Sequence, residues 1–232
     1  MEAVQVQGET LDYIVVHPDE YQPGSDYPLI ILVHGFGADM TDLVGLAPAI
    51  DSQGYVYACP NAPIAMQTSP STVGYAWEIP TAYLENANIP EGLPESEPLL
   101  EGFIQEVMQR YQVRPGNAIL GGFSQGGGLT YRIGLPKPEV FAGLVVMSSG
   151  LRDPDKLKSK LPAQKDQPVF ISHGTMDNPE RAREARAFLE AEGYKPQYKE
   201  YPMGHEISQE VIGDLVPWIH KVLPPKPLLY RA

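Results

Sequence analysis

The sequence predicts an α/β fold: a mostly parallel central sheet with helices on both faces and an antiparallel edge at the N-terminus. Three observations lead there. Short apolar, β-branched runs recur along the chain, segments of helical period separate them, and an alternating segment with a turn signal precedes the first run. Continuous apolar runs fit strands covered on both faces, and strands alternating with helices imply βαβ crossovers. With 232 residues and 43% hydrophobic composition, the chain is long enough for one sizeable core, and the expectation is one domain over 1–232.

At the N-terminus Val4 and Val6 alternate before Gly8-Glu9, and Leu11 to Val16 follows, which is a hairpin signal. Pro28 to Val33 reads as a buried strand, and Leu43 to Ile50 as a helix capped by Thr41-Asp42. Tyr55 to Ala58 is the next strand. Residues Pro60 to Pro98, rich in Pro, Ser, Thr, Asn and Glu, break the alternation. A connection of that length in a compact domain is usually functional or disordered, so it reads as a lid-like substrate loop, and Thr81 to Pro98 is its most distinctive part. Leu100, Phe103, Ile104, Val107 and Met108 then give Leu99 to Tyr111 a helical period.

Strands follow at Ala118 to Gly121, Phe141 to Met147 and Pro168 to Ser172, with a helical segment from Gly127 to Ile133 between the first two. Lys156, Lys158 and Lys160 fall in a Pro- and Asp-containing connection that reads as a solvated loop or short helix. Pro179 to Glu192 is a helix ending at Gly193, Tyr198 to Tyr201 an edge strand, and Ile207 to Val222 a helix that Pro217 should kink or split. The Pro-rich tail from Leu223 cannot be helical and should run over the surface.

Bulk properties exclude several functions. No stretch approaches the roughly 18 apolar residues of a membrane span, and the N-terminus lacks the pattern of a secretory signal, which predicts a cytoplasmic protein. The one cysteine, Cys59, excludes an internal disulfide framework and any multi-cysteine metal site; no metal and no cofactor are expected. A net charge of −12 argues against nucleic acid or an anionic membrane as partner. It hints instead at neutral or cationic substrates.

The stretch Gly122-Phe123-Ser124-Gln125-Gly126 carries the chemistry. A serine between glycines, between a strand and a helix, is the nucleophile elbow of the α/β-hydrolases. With 22 glycines in the chain the pattern can arise by chance, so it needs partners. A serine hydroxyl requires a base, and the base requires an acid to fix its tautomer. In this fold the order along the chain is serine, acid, histidine. Of the downstream histidines, His205 sits in a loop between the last strand and the last helix and is the expected base. His220 falls late in an amphipathic helix, and His173 at a strand end, where packing is the simpler reading.

Asp177 is the expected acid, because it follows a parallel strand and Asn178 can cap the next helix in its place. Asp153 and Asp155 remain the alternative. The oxyanion donors are expected to be the backbone N–H groups of Gln125 and Phe36, the second in His34-Gly35-Phe36-Gly37, with Gly35 and Gly37 as neighbouring possibilities. His34 reads as a buried imidazole bracing that loop. Trp77, Met66, Met147, Met176 and Met203 could line an adaptable acyl pocket, or fill gaps beneath loops. Cys59 stands before Pro60 at a strand end, which disfavours a cysteine nucleophile.

Six motifs in order, His34-Gly35-Phe36-Gly37, Pro60-Asn61-Ala62-Pro63, Gly74-Tyr75-Ala76-Trp77, Gly122 to Gly127, His173 to Asp177 and Gly204 to Ser208, resemble those of the small carboxylesterase and acyl-protein thioesterase (phospholipase/carboxylesterase) family. The resemblance covers about 28–220. It implies a serine hydrolase with Ser124, Asp177 and His205 as triad and Phe36 and Gln125 at the oxyanion hole. The chain departs from the family where Asn178-Pro179-Glu180 replaces a longer turn after the acid. The expected activity is hydrolysis of short- to medium-chain carboxylic esters, with acyl-protein thioesterase or lysophospholipase as alternatives on the same triad. A catalytically silent binding protein on this fold is the reading from another class. The expected partner is a small-molecule ester, with no nucleic acid, no integral membrane association and a possible homodimer.

Overall fold

The alternating N-terminal segment forms β1 (Glu2–Val6) and β2 (Tyr13–His17), paired antiparallel with Glu2 opposite His17. The computed structural model describes residues 1–80 and 92–227. The apolar runs become β3 (Leu29–Val33), β4 (Val56–Pro60), β7 (Ala118–Phe123), β8 (Gly143–Met147) and β9 (Val169–Gly174), and β10 (Gln197–Tyr201) closes the far edge. Their order in the sheet is β1-β2-β4-β3-β7-β8-β9-β10. β2 meets β4 antiparallel, and every pairing from β4 to β10 is parallel. The carboxyl ends of six strands therefore share one rim, where ligand sites of open parallel sheets form.

Side-chain alternation sorts the core into two layers. Leu29, Ile31 and Val33 of β3 join one cluster, and Ile30 and Leu32 join the other. The first layer is closed by α2 (Ser96–Arg110), α3 (Gln125–Gly134) and α5 (Glu180–Ala191), with Leu157 of the short α4 (Pro154–Lys158) beneath it. The second is closed by α1 (Leu46–Ile50) and α6 (Gln209–Val222). All five side chains of β3 are buried, each worth roughly 1.5–3 kcal/mol of transfer free energy.

Three expectations are revised. Residues 41–45 are turns, because the Asp39 carboxylate accepts from the Thr41 amide at 2.7 Å and holds the chain in a bend; the helix runs only over Leu46–Ile50. Pro217 does not split α6. Val211, Leu215, Trp218 and Ile219 are buried on both sides of it, and Ser208 caps the start by accepting from the Val211 amide, so packing overrides the lost hydrogen bond. The irregular stretch after Pro60 contains an antiparallel hairpin, β5 (Ile64–Ser69) and β6 (Thr72–Ala76). Of Thr81 to Pro98, residues 81–91 lie outside the described residues, and Ser96 opens α2.

Of the tail, described as far as Pro227, Leu223 is buried and Pro224 to Pro227 are at least partly exposed. The Lys226 amide donates to the Gly54 carbonyl at 2.9 Å, and the Lys226 ammonium lies 3.8 Å from the Tyr27 ring centre. Among the described residues no helix is long and apolar enough to cross a membrane, and no cluster of metal-ligating side chains is present.

Candidate active site

Ser124 occupies the turn between β7 and α3 with φ 53° and ψ −115°. A non-glycine residue rarely accepts that conformation, which costs on the order of 1–3 kcal/mol and needs close support. Support comes from the Ser124 amide, which donates to the Met147 carbonyl at 3.0 Å, and from the Gly128 amide, which donates to the Ser124 carbonyl at 3.2 Å. Gly126 sits so close to the Val33 and His34 carbonyls that a β-carbon there would fall inside contact distance. α3 can approach the end of β3 only because residue 126 has no side chain. The elbow thus follows from strand, tight turn and helix in immediate succession.

His205 and Asp177 come from the loops after β10 and β9. The imidazole Nδ1 lies 2.6 Å from Asp177 Oδ2, and its ring packs against Phe123 at 4.8 Å between centres. If Nδ1 carries the proton toward the carboxylate, Nε2 keeps a lone pair for an incoming proton. The loop bearing Asp177 is tied down along its length. The Thr175 amide donates to Tyr201, the Met176 amide to Met203, and the Asp177 amide to Gly174. The buried His173 ring reaches the Asp177 carbonyl through Nε2 at 2.5 Å. His173 therefore braces the acid loop.

Asn178 does not cap α5. It takes φ 37°, as the short turn requires, and Pro179 precedes the helix with no side-chain cap. Asp153 lines a small recess with Glu78, Arg132 and Lys156, and among the described residues no hydrogen bond or ion pair joins it to His205, whose partner is Asp177. His220 sits across the molecule, stacked on Tyr55 and 3.7 Å from Asp51.

The loop after β3 brings Gly35 against the elbow. A β-carbon on Gly35 would lie 3.2 Å from Ser124 Cβ, so the two backbones nearly touch. His34 is buried; its Nδ1 is 2.7 Å from the Gly35 carbonyl, and Nε2 accepts from the Ala62 amide at 3.1 Å. This arrangement places the proton on Nδ1 and keeps the ring neutral, and burial lowers its pKa. The Trp77 indole donates to the His34 carbonyl at 3.0 Å. Gln125 adds a second tie, since its Oε1 accepts from the Trp77 amide at 3.1 Å and its Nε2 donates to the Glu78 carbonyl at 2.7 Å. The β5–β6 hairpin completes the brace, with reciprocal bonds of 2.8 Å joining Gly37 to Tyr75 and Tyr75 to Ala38. At the head of α3, the Gln125 amide belongs to the first turn, whose N–H groups have no partner within the helix.

Ser124, Gln125, Asp177, His205 and Trp77 all line one cleft of about 620 Å³. Among the described residues, Met66, Met176 and Met203 do not line it. Met66 lies on the hairpin, Met203 packs into the core, and Met176 is 72% exposed. Trp77 is only 1% exposed and does more to fix the loop after β3 than to offer surface. Cys59 is fully buried, and burial pushes its thiol up to about 12, so it offers no thiolate at neutral pH.

Several cleft residues escaped the sequence reading: Glu78, Arg132, Arg152, Arg181 and Glu184. Two signals could have found some of them. Gln125, Gly128, Leu129 and Arg132 recur at helical spacing on one face of α3, and Ser148 to Arg152 follow the carboxyl end of a parallel strand.

Comparison with known proteins identifies the family. The model of the phospholipase/carboxylesterase family matches residues 19–223. The acyl-protein thioesterase 1 of Eremothecium gossypii is 32% identical over 207 residues, covering 82% of this chain and 85% of the relative. The carboxylesterase SOBER1 of Arabidopsis thaliana is 33% identical over 114 residues, 47% of this chain and 50% of that protein. The crystal structure of a carboxylesterase from Mesorhizobium loti superposes with a TM-score of 0.71 at 18% identity, covering 94% of this chain and 98% of the other, a likeness of fold. The chain belongs to the phospholipase/carboxylesterase family of α/β-hydrolases and is a hydrolase.

Proposed function

We propose that this hydrolase is a serine carboxylesterase acting on short- to medium-chain esters through an acyl-enzyme on Ser124. The observation that carries the proposal is the meeting, in one cleft, of a serine held at φ 53° with the His205–Asp177 pair at 2.6 Å. In this reading Ser124 Oγ attacks the ester carbonyl while His205 Nε2 takes its proton. Asp177 holds the imidazole in the required tautomer and stabilises the imidazolium that forms. The backbone N–H groups of Phe36 and Gln125 receive the oxyanion, each worth roughly 10²- to 10³-fold in turnover. The intermediate collapses, the alcohol leaves with the proton from His205, and water repeats the sequence on the acyl-enzyme.

The preference for shorter chains rests on the cleft walls. Among the described lining residues only Trp77, Leu129 and Leu151 are large and apolar, whereas Arg132, Arg152, Arg181, Glu78 and Glu184 are charged. Each methylene left without apolar contact forgoes about 0.8 kcal/mol. Thioester hydrolysis is the second reading, favoured by the acyl-protein thioesterase relatives that align over most of the chain. A series of p-nitrophenyl esters from acetyl to palmitoyl, beside matched acyl thioesters, separates the two. The expected result is kcat/KM that rises to butyryl or hexanoyl and gains nothing from there to palmitoyl, because methylenes that find no apolar wall stay in water and add no binding. A palmitoyl thioester as the best substrate would replace the carboxylesterase reading with the thioesterase one.

A further inference from the structure

The cations of the cleft are not equivalent. Arg132, 14% exposed, is neutralised twice, by Glu78 and by Glu97, whose Oε1 lies 2.8 Å from Arg132 Nε. Arg152 shares the same Glu78 carboxylate, with Nη1 2.7 Å from Oε2. Glu78 thus spends one oxygen on each arginine. Arg181 differs: it lines the cleft with Ser124 and His205, and among the described residues it makes no hydrogen bond and no ion pair. Glu184, one turn further along α5 and also on the cleft wall, does not pair with it.

Its placement is built in. Gly150, in the loop after β8, packs so tightly that a β-carbon there would lie 2.7 Å from Arg181 Cβ. The base of the arginine is therefore wedged against the loop that carries Ser148 and Ser149 into the same cleft. The exposed arginine thus brings a guanidinium with five donors to the cleft that holds Ser124.

Resting on the esterase reading proposed above, we infer that the cleft takes carboxylic esters bearing an anionic group, a carboxylate foremost, and that Arg181 contacts that group. The net charge of −12 acts on such a substrate at long range, and within the cleft Asp177 and Glu184 also carry negative charge. At physiological ionic strength the screening length is about 8 Å, so the distant acidic surface is damped while a guanidinium at contact is not. Arginine suits the task, because its planar fork matches a carboxylate with two parallel hydrogen bonds.

The test compares wild type with Arg181→Gln and Arg181→Lys on mono-p-nitrophenyl glutarate and its neutral isostere p-nitrophenyl 5-methylhexanoate, which probe the acyl side. The pair 3-butyryloxybenzoate and phenyl butyrate probes the alcohol side. Arg181→Gln should lower kcat/KM for one of the two anionic esters by about 10-fold or more, mainly through KM, and leave the neutral esters within about twofold. Arg181→Lys should restore part of the loss, which a merely structural residue would not show. The anionic member affected tells which side of the ester faces Arg181. Neutral and anionic esters falling together, or neither falling, overturns the inference while the esterase reading stands. Absence of turnover on all four esters overturns both.

Discussion

Ser124→Ala is expected to lower kcat/KM for p-nitrophenyl butyrate by roughly 10⁴- to 10⁶-fold, measured by p-nitrophenol release. Without Oγ no acyl-enzyme can form, and only the oxyanion donors and the base remain to assist water. The fold should not register the change. Alanine and serine carry the same penalty at φ 53°, and the bonds that hold the elbow come from the backbone. Removing one half-buried hydroxyl alters stability by about 0.5 kcal/mol or less, which moves the melting temperature by roughly 2 °C at most in a chain of this size. A large loss of activity at unchanged melting temperature is thus the expected combination.

Asp177→Asn should cost nearly as much, about 10⁴-fold in kcat. The carboxylate Oδ2 now accepts from His205 Nδ1 at 2.6 Å. An asparagine can turn its amide nitrogen to that position, and the imidazole must then accept at Nδ1 and carry its proton on Nε2. A protonated Nε2 cannot take the proton of Ser124. The loop itself should hold, because it is anchored by the Thr175, Met176 and Asp177 amides and by His173 on the Asp177 carbonyl. Asp153→Asn, which makes no bond to His205, should stay within about twofold of wild type. The reverse pattern would move the acid to the loop after β8.

These two predictions rest on features of unequal visibility in the sequence. The parallel sheet was legible because Leu29 to Val33 and the later apolar runs are buried on both faces and so carry no polar alternation. The elbow was legible because it is local: strand, turn and helix are adjacent, and the glycines needed for close approach lie within five residues. The pairing of His205 with Asp177 was inferred from chain order, which a parallel sheet converts into proximity at one rim. His34 was read as a brace, and its ring does bridge Gly35 and Ala62.

What stayed hidden depends on contacts between distant segments. The β5–β6 hairpin is held by backbone bonds and by its docking on Gly37 and Ala38, not by an apolar face that a sequence pattern could display. The methionines near the site motifs invited an acyl pocket. Proximity in sequence does not fix side-chain direction, however, and Met203 turns into the core while Met176 turns to solvent. The charged wall of the cleft was invisible for the same reason. Arg132, Arg152 and Arg181 come from three separate elements, and their convergence is a property of the rim.

The nucleophile is the centre of the account, and covalent labelling tests it most directly. Wild-type protein treated with a fluorophosphonate, digested and sequenced by mass spectrometry should carry one adduct, on Ser124. Ser124→Ala should carry none. Folded wild-type protein that takes up no label, or a label on any residue other than Ser124, would contradict it.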